Sequence, residues 1–424
     1  MTTDQHDSFN LLLPTHEIGS MRKLNATILA LQGREIPEAH LEEVRFWWSK
    51  LELGDPEDTI SLLLSRPSNG GNDLQNWEMD VLKLRLRFNL RFLESTGLDF
   101  VFSGEAWRRE MYEHAAKDIN GIYLEKEHIR SFDDRFYKPG VRVKDVEINR
   151  KKPIYIDEFE YTQKHAKKPL RFCFTGPYTI FNWTITASSD SQFLFDLVDN
   201  VFIPETKEAI KAGARFITSD EPAYTTIPDD RDIYNEAYRK YFKGVGRYAK
   251  ENNCRLGFHT CFSHRYDILF EDLPRTPWDF ASLEYANRDS KSLGTSHTDR
   301  PSYKEGLESA LRIYDEGNRC KLALGVLEVH ADRHFSDKEM EAGTAYTRLR
   351  ELVRDRLLYQ ARYLYENLGE EGPYLLLTAP DCGLRPVQRL NALHTMLNAM
   401  VDGAHEARTL LMNEYDLPLY RTIY

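Results

Sequence analysis

The sequence predicts an α/β fold, a single (β/α)8 TIM barrel with long insertions after its first and second strands. Eight short apolar, β-branched or aromatic runs, each ending in a polar cluster, are followed by long stretches of helical periodicity. No Gly/Ser-rich or Pro-rich linker, low-complexity tract or internal repeat divides the chain. Residues 1–424 therefore read as one domain, with 1–10 as an N-terminal tail and 410–424 as a C-terminal tail.

The eight runs are Leu11–Ser20, Leu98–Glu105, Leu170–Pro177, Ala214–Pro222, Arg255–Ser263, Phe280–Asn287, Lys321–His330 and Tyr374–Cys382. Amphipathic helices are predicted between them over Asp232–Asn252, Lys304–Glu316, Lys338–Asn367 and Pro386–Arg408, the last opened by a proline in its first turn. A typical barrel takes about 250 residues. The excess falls in Met21–Gly97 and Ala106–Pro169, which read as loops elaborated on the catalytic face.

With 41% apolar and 29% charged residues in 424, the chain can bury a large core. Its apolar runs are strand-sized, and its N-terminus lacks the basic-then-apolar order of a signal peptide, so no membrane span and a cytoplasmic location are expected. The 56 basic against 67 acidic residues leave a net charge of −11, which argues against nucleic-acid binding and for a small-molecule substrate. Cys173, Cys254, Cys261, Cys320 and Cys382 are odd in number and scattered, so reduced thiols are expected rather than a disulfide framework.

The fifth run carries His259 and Cys261, which alternation places on one side of a strand. Alone, an HxC pair is a weak signal. Glu284 holds the corresponding place in the sixth run and Cys382 ends the eighth, and two thiolates, an imidazole and a carboxylate suit tetrahedral zinc. The remaining cysteines read as core residues. Rim acids complete the picture: Glu105 and Asp220, opposite a backbone pocket at Gly19 and Ser20, suit the ammonium and carboxylate of a zwitterionic amino acid. Glu221 and Glu328 read as structural acids paired with arginines of neighbouring loops.

These motifs, in this order, resemble the catalytic barrel of cobalamin-independent methionine synthase. The series comprises EIGS (Glu17–Ser20), SGEAWRREM (Ser103–Met111), DRFYKPG (Asp134–Gly140), TGPYTIFNW (Thr175–Trp183), SDEPA (Ser219–Ala223), HTC (His259–Cys261), LEYANRD (Leu283–Asp289), VLEVH (Val326–His330) and PDCGL (Pro380–Leu384). The resemblance implies zinc on His259, Cys261, Glu284 and Cys382. It implies homocysteine held by Ile18, Gly19, Ser20, Glu105 and Asp220, His330 as proton donor, and a methylfolate donor site at Arg135, Phe136 and Trp183.

Two departures bear on the donor. The full-length enzymes carry a second, N-terminal barrel for the folate tail, so this chain reads as a stand-alone core enzyme. Thr226 stands where folate users have Glu, and EIGS is followed by Met21, Arg22 and Lys23 rather than Phe-Pro. The donor expected is therefore a methylated corrinoid protein or another delivered methyl group ahead of free polyglutamyl methylfolate. Competing readings within the same fold are a zinc-dependent thiol alkyltransferase of the coenzyme M type and a metal-free uroporphyrinogen-decarboxylase-like enzyme. The paired Glu105 and Asp220 favour an amino-acid thiol.

Overall fold

The computed structural model describes residues 8–423 except 69, 133–134, 187–190, 262–264, 288–290, 300 and 330–334, with backbone alone at 132, 135, 225–228 and 337. His330 and the side chains of Arg135 and Thr226 thus lie outside the described residues. Among the described residues no helix is long and apolar enough to cross a membrane.

Met21–Gly97 is not an elaborated loop. It folds into four helices, α1 (Asn25–Leu31), α2 (Glu38–Lys50), α3 (Pro56–Leu64) and α4 (Asn72–Ser95). In α4, Trp77, Val81, Leu84, Phe88 and Phe92 recur every three or four residues and are buried, the spacing of one helical face. The Asp55 carboxylate accepts the Glu57 N–H at 2.9 Å and caps α3. Ala106–Pro169 holds α5 (Met111–Ala116), four short strands β1 (Ile122–Leu124), β2 (Arg130–Phe132), β3 (Arg135–Tyr137) and β4 (Gly140–Arg142), and α6 (Ile156–His165). β1 pairs with β4 and β2 with β3, both antiparallel.

The centre is a parallel sheet of β5 (Phe172–Thr175), β6 (Phe216–Asp220), β7 (Arg255–Thr260), β8 (Phe280–Leu283) and β9 (Lys321–Ala323), in that order. Helices fill the crossovers, as parallel strands require: α7 (Pro177–Trp183), α8 (Ser191–Leu197) and α9 (Ile203–Lys211) follow β5, and α10 (Arg231–Glu251) follows β6. α11 (Tyr266–Asp272) follows β7 and α12 (Tyr303–Asp315) follows β8. The helix predicted over Lys338–Asn367 is two, α13 (Asp337–Glu341) and α14 (Thr344–Leu368), parted at Ala342 and Gly343. The last, α15, spans Leu390–Tyr415, so Pro386 precedes it rather than opening its first turn.

Five of the eight predicted runs form regular strands. The runs at 11–20, 98–105 and 374–382 contribute isolated bridges instead: Val101 to Leu170, Leu322 to Leu376, Leu327 to Pro380 and Thr15 to Thr378, all parallel. Pro14 and Pro380 lack an N–H and interrupt any continuous ladder there. The N–H groups of Asp99 and Phe100 both donate to the Thr15 carbonyl at 3.1 Å. The segment 410–424 is no free tail. It is helical to Tyr415, then pairs with the start of the chain through Leu12 N–H to Leu419 O at 3.0 Å and Arg421 N–H to Asn10 O at 2.9 Å.

Alternation along β6 sets one face as Phe216, Thr218 and Asp220. Phe216 stacks on Phe280 at 4.3 Å and on Phe100 at 4.7 Å, with Phe9 edge-on at 5.5 Å, which makes an aromatic floor at the N-terminal ends of the strands. Gly257 is required for it, because a Cβ there would lie 2.4 Å from the Phe280 ring. Above this floor the same faces become polar, which fixes where a site can be built.

Candidate metal and substrate site

β6 and β7 lie in register with Asp220 beside His259, at the C-terminal ends of the strands. His259, Cys261 and Cys382 are all buried, and one ligand atom from each lies within 4.8 Å of the others. The His259 ring is oriented: Nδ1 donates to the Ser282 carbonyl at 3.0 Å, and buried Nε2 has no hydrogen-bond partner. That tautomer presents a lone pair to the two sulfurs, the arrangement a metal-binding imidazole uses. Glu284 follows β8 and is buried, its N–H donating to Tyr266 Oη at 3.0 Å. Its carboxylate stands outside the 4.8 Å group but near it: burial first, and then the charges of Glu284, Tyr285 and Cys261, raise the Tyr266 hydroxyl far above its usual range. The other three thiols lie outside this group; burial pushes Cys173 up to about 12 and lifts Cys254 and Cys320 as well.

A cleft of about 590 Å³ opens onto His259, Cys261 and Cys382. Ile18, Gly19, Ser20, Glu105, Asp220 and Trp183 line it, so the structure brings together most of the residues chosen from sequence. Asp220 Oδ1 is buried with no hydrogen-bond partner. Burial raises this carboxyl to about 6, with His259 pulling it down and Glu105 pushing it up. Glu105 is displayed by a bend in which Gly104 (φ +62°) and Glu105 itself (φ +56°) are both left-handed. A Cβ at Gly104 would lie 2.7 Å from that of Met21, so only glycine fits.

The family described as cobalamin-independent synthase, catalytic domain, matches residues 78–406. The chain belongs to this family. It is accordingly a methyltransferase. A methionine synthase of Thermoplasma volcanium is 30% identical over 71% of this chain and 81% of its own length. A 5-methyltetrahydropteroyltriglutamate–homocysteine methyltransferase of a Synechococcus strain is 26% identical, over 75% of this chain but 37% of that protein. In fold, a B12-independent methionine synthase from Shewanella sp. W3-18-1, solved with selenomethionine, superposes with a TM-score of 0.64 at 20% identity, covering 95% of this chain and 99% of that one.

Within this cobalamin-independent synthase the aromatic pair of β3 reverses the sequence reading. Phe136 is 71% exposed, whereas Tyr137 is 5% exposed and lines the cleft. Neighbouring residues of a strand face opposite ways, and in a run of two aromatics the sequence does not show which turns inward. Glu221 does not serve an arginine. Its buried carboxylate accepts the N–H groups of Tyr178 (3.1 Å) and Thr179 (2.7 Å) at the start of α7, the Thr179 hydroxyl (2.6 Å) and the Tyr238 hydroxyl, and so seats the helix that ends in Trp183. Glu328 is buried too, close to Asp381.

Sequence reading missed Glu110 and Gly383, which line the cleft from within quoted motifs, and the arginines behind it. Buried Arg171 donates to the Glu17 carbonyl and, at 3.0 Å, to Thr218 Oγ1, fixing the backbone just before Gly19 and Ser20. Buried Arg108 donates to Glu158 Oε2 at 3.1 Å and to the Cys173 carbonyl at 2.7 Å, with Glu105 at 3.7 Å. Burial favours a neutral Glu158, but Arg108, His114 and the Ser103 hydroxyl outweigh it and hold the carboxyl below its usual range. Removing one partner of such a pair strands the other, so Arg108→Met should cost about 3–5 kcal/mol of stability. Urea unfolding at pH 7 measures this, and a loss under about 1 kcal/mol would place Arg108 among weak surface pairs.

Proposed function

We propose that this chain makes methionine by methylating homocysteine at a zinc site formed by His259, Cys261, Glu284 and Cys382. The observation that carries the reading is the buried, partnerless Nε2 of His259 aimed into a group with Cys261 and Cys382. Two thiol sulfurs and an oriented imidazole are the donor set of zinc, and a nearby carboxylate completes four. When bound, zinc supplies the positive charge that deprotonates an incoming thiol.

The remaining roles belong to the chain. Asp220 and Glu105 take the substrate ammonium; Ile18, Gly19 and Ser20 take its carboxylate through backbone N–H groups and the Ser20 hydroxyl. Glu284, a hard oxygen donor among soft sulfurs, would be the most weakly held of the four groups toward zinc. Should the methyl come from a tertiary amine, the leaving nitrogen must be protonated, and His330 is the residue for it. The parallel bridges on either side of the five-stranded sheet, with Thr15 between 99–100 and Thr378, support an eight-stranded (β/α)8 barrel with its insertions after the first two strands.

For the donor, Thr226 and the missing Glu favour a methylated corrinoid over free polyglutamyl methylfolate. Side-by-side steady-state assays of homocysteine with methylcobalamin, methyltetrahydrofolate and its triglutamate test both halves of the proposal. Methionine formation with methylcobalamin well above the folates is expected. Turnover with the triglutamate far above the other two would restore the ordinary folate reading, and no methionine with any donor would remove homocysteine.

A further inference from the structure

Trp183, the flat surface at the cleft wall, is already engaged. Tyr137 stacks on it with ring centroids 4.6 Å apart and planes 20° from parallel. Tyr112 flanks the same indole at 6.1 Å and meets Tyr137 at 5.4 Å. A separation of 4.6 Å is direct offset stacking, with no room for a third ring between.

The tyrosine is anchored at its flanks rather than loosely laid there. Just past it, the Lys138 N–H donates to Glu113 Oε1 at 2.9 Å and the Gly140 N–H to Tyr112 Oη at 2.8 Å. Tyr112 Oη also meets Thr184 Oγ1, next to Trp183, at 2.8 Å. Across the hairpin the Tyr137 hydroxyl pairs with Arg130, its register partner. The strand carrying Tyr137 and the helix ending in Trp183 are therefore both tied to α5.

We propose that Tyr137 is a specificity-determining residue for the methyl donor, occupying the indole face that a flat fused-ring donor of the methylfolate type would stack on. The inference rests on the homocysteine-methylating reading above. The cleft is left to a donor that presents its methyl end-on, as a methylcobalt centre does. That transfer balances without a proton: the sulfur–carbon bond forms, the cobalt–carbon bond breaks, and its electron pair stays on cobalt, reducing Co(III) to Co(I).

The test compares wild type, Tyr137→Ala and Tyr137→Phe in two readouts: tetrahydrofolate binding by quenching of tryptophan fluorescence, and kcat/KM with methyltetrahydrofolate against methylcobalamin. Tyr137→Ala should bind tetrahydrofolate more tightly and raise the folate-to-corrinoid ratio by at least about tenfold, because specificity built on occlusion is lost with the occluding ring. Tyr137→Phe, which keeps the stack, should keep the wild-type ratio. Should the alanine variant not fold, Tyr137→Val, suited to a strand, carries the same comparison. A folded variant with unchanged binding and ratio overturns the proposal, as does a phenylalanine variant that behaves like alanine. If no variant forms methionine with either donor, the homocysteine reading fails, and the binding arm still decides whether Tyr137 guards Trp183.

Discussion

Protein purified without added metal is expected to carry one zinc per chain, and Cys382→Ser to lose both metal and turnover. The three groups within 4.8 Å are buried, and Cys382 joins His259 and Cys261 from a distant part of the chain, so no neighbouring residue can replace it once it is gone. Losing even a hydrogen-bond partner behind a ligand costs about 10–100-fold in metal affinity. Loss of a sulfur donor should exceed about 100-fold by the same comparison. Cys173→Ser is the control, since that thiol lies outside the group. Elemental analysis of each variant, with circular dichroism to verify folding, makes the measurement. Unchanged zinc in Cys382→Ser, or full activity in metal-free protein, would sink the assignment.

Asp220→Asn should retain zinc yet use homocysteine at least about tenfold less well, because truncating one side of a buried charged hydrogen bond costs about 2–5 kcal/mol. The carboxylate oxygen without a partner is the reason to expect the larger end. An amide keeps the shape of the side chain while removing its charge, so the effect isolates attraction for an ammonium. Steady-state kinetics over a range of homocysteine concentrations gives the number. Equal use of coenzyme M, which has no ammonium, by the unaltered enzyme would contradict this role for Asp220.

The grouping of His259, Cys261 and Cys382 was legible in the sequence because a strand has a period of two. His259 and Cys261 had to share a face, and Cys382 closes another apolar run at the same end of the fold. Glu105, Asp220 and Gly19–Ser20 were legible because each lies in the polar cluster that ends an apolar run, where the cleft opens. The choice between Phe136 and Tyr137 was not, since both are aromatic and only the packing of Tyr137 on Trp183 and Tyr112 settles which turns inward. Arg108 and Glu158 sit 50 positions apart, and no local pattern joins them. Glu221 looked like any rim acid until the start of α7 was seen beside it. Proline explains two of the three runs that form no regular strand: Pro14 and Pro380 break apolar runs that otherwise look like full strands.

The clasp between the first and last parts of the fold also dictates an order of assembly. Thr378 donates through its hydroxyl to the Leu13 carbonyl, 365 positions earlier, and Arg408 reaches the carbonyls of Leu12 and Leu13 at 2.7 and 3.1 Å. A ribosome adding about 5–20 residues per second needs roughly 20–70 seconds to cover that distance. Throughout that interval the segment bearing Ile18, Gly19 and Ser20 has emerged without the neighbour that seats it on one side. The cleft wall at Ile18, Gly19 and Ser20 is therefore among the last parts of the fold to be completed during synthesis.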